Sequence, residues 1–507
     1  MNVLDIVLSD LRSVLDELTR GDGVMSASVY DTAQVLRLAP ISRDVVPAQE
    51  WLLTQQRDDG GWGFETAPRA RDAPTLAAIL ALHSRREPRV QESVRAALDF
   101  LARQAPHWQD LPDDIPVAAE LTILRLLEDA READIAVPSD HYSALTRVGE
   151  QRRRRVRMTQ HEARTPAAHC WETWGTDPDP RLLDVRGGVG VSPAATAAWL
   201  RAAGDRADLL PYRRIAEGYL ERAQAATELG IPGCVPTSWP MERMEQQWAL
   251  YAVATAGLSN HPSIASSVER QVLDLESALS SKGLGFSSFF MPDADCTGVT
   301  LAILQMAGRR PDPSVLRSFE KEDHFITYPG ERNFSYSATA HAVHALALMG
   351  EDTLRWRQFF AKQQRPDGWW PQDKWHMSKM YATTQILFAT HGQVGESFRA
   401  ALEAILDAQK PEGGWGTFDR ASRIETGHVV IALDAFRRAG IATEPIRAAL
   451  RRAYRWLREE YRPFTGDYVR REQMWIGKEL YFARRMDRPA EICALALLAL
   501  ADAEGRL

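Results

Sequence analysis

The 507-residue sequence lacks any stretch of about 18 uninterrupted apolar residues, which excludes a membrane-spanning helix as its organising element. Its four cysteines, Cys170, Cys234, Cys296 and Cys493, lie far apart and form no Cys-x-x-Cys pair, so neither a disulfide framework nor a zinc knuckle is indicated. The opening residues MNVLDIVLSD carry acids where a secretion signal needs basic residues, and a long apolar core is missing. A reduced, cytoplasmic setting is therefore expected. Basic residues number 61 against 68 acidic ones, a net charge of −7, so there is no electrostatic case for nucleic acid or an anionic membrane surface as partner. Runs of Val, Ile and Thr alternating with polar residues are scarce, which argues against an extensive sheet.

What the sequence has is helical periodicity. Segments 75–84, 118–133, 339–350 and 491–504 place apolar residues at helical spacing, and the expected fold class is all-α. One pattern recurs: Gln, three residues, Gly, one residue, Trp. It appears at Gln56, Gly60 and Trp62, at Gln364, Gly368 and Trp370, and at Gln409, Gly413 and Trp415. A physical reading is that Gln ends a helix, the Pro/Asp/Gly run turns the chain, and Trp packs across to a neighbour. Helix pairs repeated in this way close into α/α barrels. A weaker relative, Lys282-Gly283-Leu284-Gly285-Phe286, precedes the segment of most chemical interest.

That segment reads Met-Pro-Asp293-Ala-Asp295-Cys296-Thr297 and runs into an apolar helix. On the residues alone, Asp at 293 or 295 is more often a helix cap. The alternative is chemical. Two carboxylates in one poorly hydrated pocket cannot both ionise cheaply, so one stays protonated and can serve as an acid.

The string Asp-Ala-Asp-Cys-Thr resembles the DxDD-type motif of class II diterpene cyclases and squalene–hopene cyclases, with Cys296 in place of the last Asp, as in oxidosqualene cyclases. The same resemblance runs across nearly the whole chain. It includes Ser28-Val-Tyr30-Asp31-Thr32-Ala33, Arg71-Asp72 with Thr75-Leu76-Ala77, Glu242 to Trp248, Asp373-Lys374-Trp375-His376 with Tyr381 to Thr384, and Trp475-Ile476-Gly477-Lys478 with Leu480-Tyr481.

The resemblance implies two α/α-barrel domains, named β and γ. The β domain would comprise 1–22 and 253–507 and carry the acid motif, and the γ domain would comprise 23–252. It implies protonation-initiated cyclisation of geranylgeranyl diphosphate to a bicyclic labdane-, halimadane- or clerodane-type diphosphate, with Asp295 as the acid. Asp293 and Cys296 would tune that acid, and Thr339 and His341 would stand where the family places the residues that polarise it. His169 would occupy the place of a His that orients a deprotonating water, with Thr237 replacing the usual Asn partner. Arg153, Arg154 and Arg157 resemble a basic stretch near the diphosphate, and Lys374 joins them as a candidate. Mg²⁺ is expected as cofactor, with Glu65 and Asp72 as candidate ligands. Trp239, Phe286, Phe289 and Trp375 are candidate cavity aromatics, since ring faces stabilise carbocations without attacking them; plain core packing is the commoner fate of such residues. No DDxxD string is present, and Asp58-Asp59 and Asp113-Asp114 have no third acid at the right spacing. The resemblance therefore implies that the diphosphate survives as a handle for a downstream class I terpene synthase or phosphatase. Alternatives are the same chemistry on farnesyl diphosphate, giving a drimane-type product, and a non-catalytic helical-repeat binding protein.

Overall fold

The computed structural model describes residues 3–18, 20–108, 116–159, 161–331, 334–390, 395–441, 444–462 and 472–507. Asp113-Asp114 lies outside these. The described chain is a succession of helices with one two-stranded antiparallel hairpin, Trp475–Ile476 against Leu480–Tyr481. The all-α expectation holds, and the hairpin is its one exception among the described residues.

Helix starts follow the local chemistry. Ser28, Ser192, Asp293, Ser335 and Ser422 each cap a helix by accepting a backbone N–H two or three residues into it. The three Gln–Trp repeats share one geometry. Gln364 Nε2 donates to the Gly368 and Ser397 carbonyls, both at 2.8 Å, tying its turn to the next helix. Trp370 Nε1 donates back to Phe360 O at 2.8 Å, closing the helix it follows. Gln56 with Trp62, and Gln409 with Trp415, repeat both contacts. Gly368 is required twice over. Its φ is +84°, and a Cβ there would stand 2.4 Å from the Ala400 carbonyl oxygen. Gln364→Leu is expected to destabilise by about 1–2 kcal/mol, because two carbonyls lose their donor. Urea unfolding followed by circular dichroism checks this.

One hydrophobic core joins the first helix, Val3–Glu17, to residues from Met241 through Ala499. Two others lie within the intervening chain, one built mainly from residues 29–145 and one from residues 35 and 168–239. The first helix therefore packs with the C-terminal half, against helix Arg484–Ala503. Helix Glu242–Thr255 also sits in that core through Trp248, Leu250 and Val253. The chain thus enters the C-terminal core before residue 242, ahead of the expected boundary at 252. A small apolar seam connects Ala67 and Ala70 to Met377, Met474, Ile476 and Leu480 across the two halves.

Candidate active site

Helix Ala294–Met306 places the two carboxylates. Asp293 is its N-cap and accepts from Cys296 N at 2.7 Å. Asp295 falls in the first turn, where the partial positive charge of the helix end favours a carboxylate left behind by proton loss. Helix Tyr336–Leu348 crosses close by because Gly298 allows it; a Cβ at 298 would stand 2.7 Å from Ala342 N. That approach brings His341 Nδ1 to 2.5 Å from Asp295 Oδ1, while His341 Nε2 lies 3.1 Å from Gln385 Oε1. His341 is fully buried, edge-on to the rings of Trp248 and Tyr251. Capping and the contact with His341 are thus divided between the carboxylates. Asp293 holds the helix, and Asp295 is left to face His341.

Asp293, Asp295 and Cys296 form one wall of a largely apolar cavity. Opposite and around them stand Phe286 and Phe290 from the preceding loop, Trp248, Tyr328 and Trp375, and the hairpin residues Trp475, Ile476, Gly477 and Tyr481. The N-terminal half contributes Met25, Val117, Pro166, His169 and Thr237. Burial, and then the neighbouring Asp295, push the Asp293 carboxyl up to about 8, so it is protonated at neutral pH.

His169 is held by its neighbours. Nδ1 donates to the Gly190 carbonyl at 2.8 Å. Burial, and then the charge of Lys478, push its imidazole down to about 3. The ring is therefore neutral with a lone pair on Nε2, and His169 lines the cavity wall. The Thr237 hydroxyl, also in the wall, is buried and has no hydrogen-bond partner among the described residues.

Lys478, at the tip of the hairpin, reaches into the N-terminal half. Its Nζ lies 2.8 Å from Glu172 Oε1, 2.6 Å from Ser192 Oγ and 3.5 Å from Asp31 Oδ1, all buried. Burial works to discharge the ammonium, but Asp31 and Glu172 overcome it and hold its pKa above the usual lysine range. Glu479 beside it accepts from Val29 N and Tyr30 N at 2.7 and 3.0 Å.

Several expected site residues stand elsewhere. Thr339 does not reach Asp295; its hydroxyl exchanges hydrogen bonds with Phe325 N and O. This is the contact Thr297 makes with Leu284, and Thr426 with Trp415, so position 339 serves the repeat rather than the acid. Arg153, Arg154 and Arg157 lie on helix Ser143–Arg157 and do not line the cavity. Arg153 is paired with Glu128 through both amine nitrogens, Arg157 donates to the Trp174 carbonyl, and Arg154 is exposed. Lys374 pairs with Glu331 at 2.6 Å and lies beside the cavity residue Trp375. Glu65 is exposed, whereas Asp72 is fully buried with its oxygens taken by Tyr142 and Gln104, so the two do not face a common ion. Among the described residues no group of three His, Cys, Asp or Glu side chains is placed to hold a metal, and these residues do not fit a protein-made Mg²⁺ site. Trp239 packs on Tyr219 in the N-terminal core, and Phe289 lies under Arg186; neither lines the cavity.

Comparison with known proteins bears on the site. No family model matches the chain. It is 39% identical over 518 residues to (+)-kolavenyl diphosphate synthase of Herpetosiphon aurantiacus, covering 99% of each. It is 29% identical over 522 residues to terpentedienyl-diphosphate synthase of Kitasatospora griseola, covering 93% of this chain and 97% of that one. The fold superposes on ent-copalyl diphosphate synthase from Streptomyces platensis with a TM-score of 0.79 at 26% identity, over 97% of this chain and 99% of that one.

Proposed function

Because the chain belongs to the class II diterpene cyclases, the diterpenyl diphosphate synthases, we propose that it protonates geranylgeranyl diphosphate and closes a bicyclic diterpenyl diphosphate without releasing the diphosphate. The observation that carries this reading is Asp295, hydrogen-bonded to His341 and set in the wall of an aromatic cavity.

The steps follow from the residues. The Asp295 hydroxyl gives its proton to the alkene farthest from the diphosphate, and the carboxylate left behind is stabilised by the helix N-terminus. The tertiary cation is attacked by the next double bond and then by the one after it, which closes two rings. Trp248, Tyr328, Trp375 and Trp475 offer ring faces to these cations and no nucleophile, each worth on the order of 0.5–2 kcal/mol. The last cation loses a proton to a water molecule, which the neutral imidazole of His169 would orient. Gross proton uptake and release balance, so substrate and product are isomers. Of the four expected cations, Lys374 alone adjoins a cavity residue in the chain and is the candidate for the diphosphate.

The test is incubation with geranylgeranyl and farnesyl diphosphates, followed by phosphatase treatment and mass analysis. A diterpenol of unchanged mass with two fewer double bonds than geranylgeraniol is expected. Product from the farnesyl substrate alone shifts the reading to drimane-type chemistry, and product from neither overturns it.

A pH dependence follows from Asp293. Below about pH 8 its carboxyl is neutral. Above that pH Asp293 is charged, and a proton transfer that would leave a second carboxylate in the same poorly hydrated wall is disfavoured. Turnover is therefore expected to be flat from about pH 6 to 8 and to fall above about pH 8. A kcat profile checks this, with Asp293→Asn expected to lose the basic limb.

A further inference from the structure

The hydrogen bonds behind the acid have a fixed direction. The Thr384 hydroxyl donates to the Tyr381 carbonyl at 2.9 Å, so it can only accept from Gln385 Nε2, 3.4 Å away. This orients the Gln385 amide, turning its Oε1 towards His341 Nε2 at 3.1 Å. An amide oxygen only accepts, so His341 Nε2 must carry a hydrogen. On the other side of the ring, Nδ1 and Asp295 Oδ1 lie 2.5 Å apart and need a proton between them.

We propose that Gln385 is a positioning residue that keeps the Asp295–His341 pair loaded with two protons, one on Nε2 and one in the short Asp295–Nδ1 bond. The inference rests on the reading of Asp295 as the acid. The argument is a count of lone pairs. With two protons every contact in the chain has a donor and an acceptor. With one proton there are two arrangements, and each fails. A hydrogen on Nδ1 leaves the Nε2 lone pair facing Gln385 Oε1. A hydrogen on Nε2 leaves the Nδ1 lone pair facing the Asp295 carboxylate. His341 has no exposed surface and Gln385 is 2% exposed, so solvent does not relieve either clash.

The discharged pair is therefore the unfavourable state. After Asp295 gives its proton to the alkene, the pair holds a single proton and an acceptor–acceptor contact. Uptake of one proton from solvent removes that contact. The proton lost by the final cation to base returns to solvent, so the cycle balances. Gln385 touches neither substrate nor the reacting carbons; it acts through His341.

The test begins with ¹⁵N-histidine spectra of the ligand-free protein, in which the His341 signals are assigned by their loss in His341→Gln. Expected is a protonated Nε2 together with an Nδ1 in a strong hydrogen bond. In Gln385→Leu the preference for a hydrogen on Nε2 should vanish. Turnover of Gln385→Leu near pH 7 is expected to fall about tenfold or more with KM little changed, and Gln385→Glu, which keeps an acceptor oxygen, should restore most of it. A wild-type His341 with hydrogen on Nδ1 and a bare Nε2 overturns the proposal, as does a folded Gln385→Leu enzyme with unchanged kcat. If Gln385→Leu fails to fold, the wild-type spectrum alone decides. The spectrum does not depend on cyclisation. A chain that shows the doubly protonated pair yet turns over no isoprenyl diphosphate overturns the functional reading and leaves the proton count standing.

Discussion

Asp295→Asn is expected to lower turnover of geranylgeranyl diphosphate by at least about 10³-fold, because an amide has no proton acidic enough to give to an alkene and no other carboxyl in the wall is paired with an imidazole. The fold should survive. Asp293, not Asp295, caps the helix, and the substituted amide retains an oxygen and a donor for the buried space against His341. The thermal midpoint is expected to move by no more than about 3 °C. Single-turnover product analysis and a melting curve on the same preparation check both halves. Activity within tenfold of wild type in a folded Asp295→Asn chain contradicts the assignment of the acid. Asp293→Asn makes an informative partner. Asn caps a helix nearly as well as Asp, so stability should hold and part of the activity should remain.

Lys478→Met is expected to cost about 3–5 kcal/mol of stability, the largest loss anticipated for any single replacement away from the acid. The ammonium is fully buried between Glu172, Asp31 and Ser192, and its removal leaves carboxylates in the interior without a counter-charge. Asp31 is already pushed up to about 6 by burial, with Lys478 opposing the shift. In the variant that opposition is gone, and its folded pKa rises further above its unfolded value near 4. A carboxyl raised in this way contributes stability below its unfolded pKa and loses it as pH climbs through the folded one. The deficit of the variant should therefore be greater at pH 8 than at pH 5.5, which denaturant titrations at the two pH values measure. Lys478→Met combined with Glu172→Gln should recover part of the loss, since one stranded charge is then gone. A variant as stable as wild type at pH 8 would show that the contacts of Lys478 with Glu172 and Asp31 do not hold the two halves together.

The sequence made some of this legible and hid the rest for identifiable reasons. The Gln–Trp repeats announced helix joints because Gly, Gln and Trp at fixed spacing leave few other geometries; Gln ties each turn to the next helix, while the Trp indole bonds back to the helix it follows. The acid segment was visible through two carboxylates ahead of an apolar helix. What separates their roles is spatial: only the crossing of helix Tyr336–Leu348, permitted by Gly298, decides which carboxylate meets His341. Thr339 misled because the polar residue two positions before His341 faces the repeat turn, and a sequence string does not show which way a helix is rotated. The arginines at 153, 154 and 157 misled for a related reason. Charge density is readable in a string, but the partners Glu128 and Trp174 are not. Trp248, Trp475 and Tyr481 went unmarked as cavity residues although each belongs to a motif quoted for the resemblance. Gln385 directly follows the last residue of one such motif, and its role emerges only when the direction of each hydrogen bond is followed.

The hairpin at Trp475–Tyr481 also bears on how the chain is made. Glu479 meets Val29 across 450 positions of sequence, and Ile476 and Gly477 complete a wall that Met25 and His169 begin. Until the hairpin is made, Val29 N and Tyr30 N of helix Val29–Leu38 lack their Glu479 acceptor, and the pocket lacks one side. Contacts of such separation form late and slowly. The cavity wall is therefore complete only once residues 475–481 have packed against the N-terminal half, and a chain without that packing would expose the apolar lining around Met25 and His169 to water.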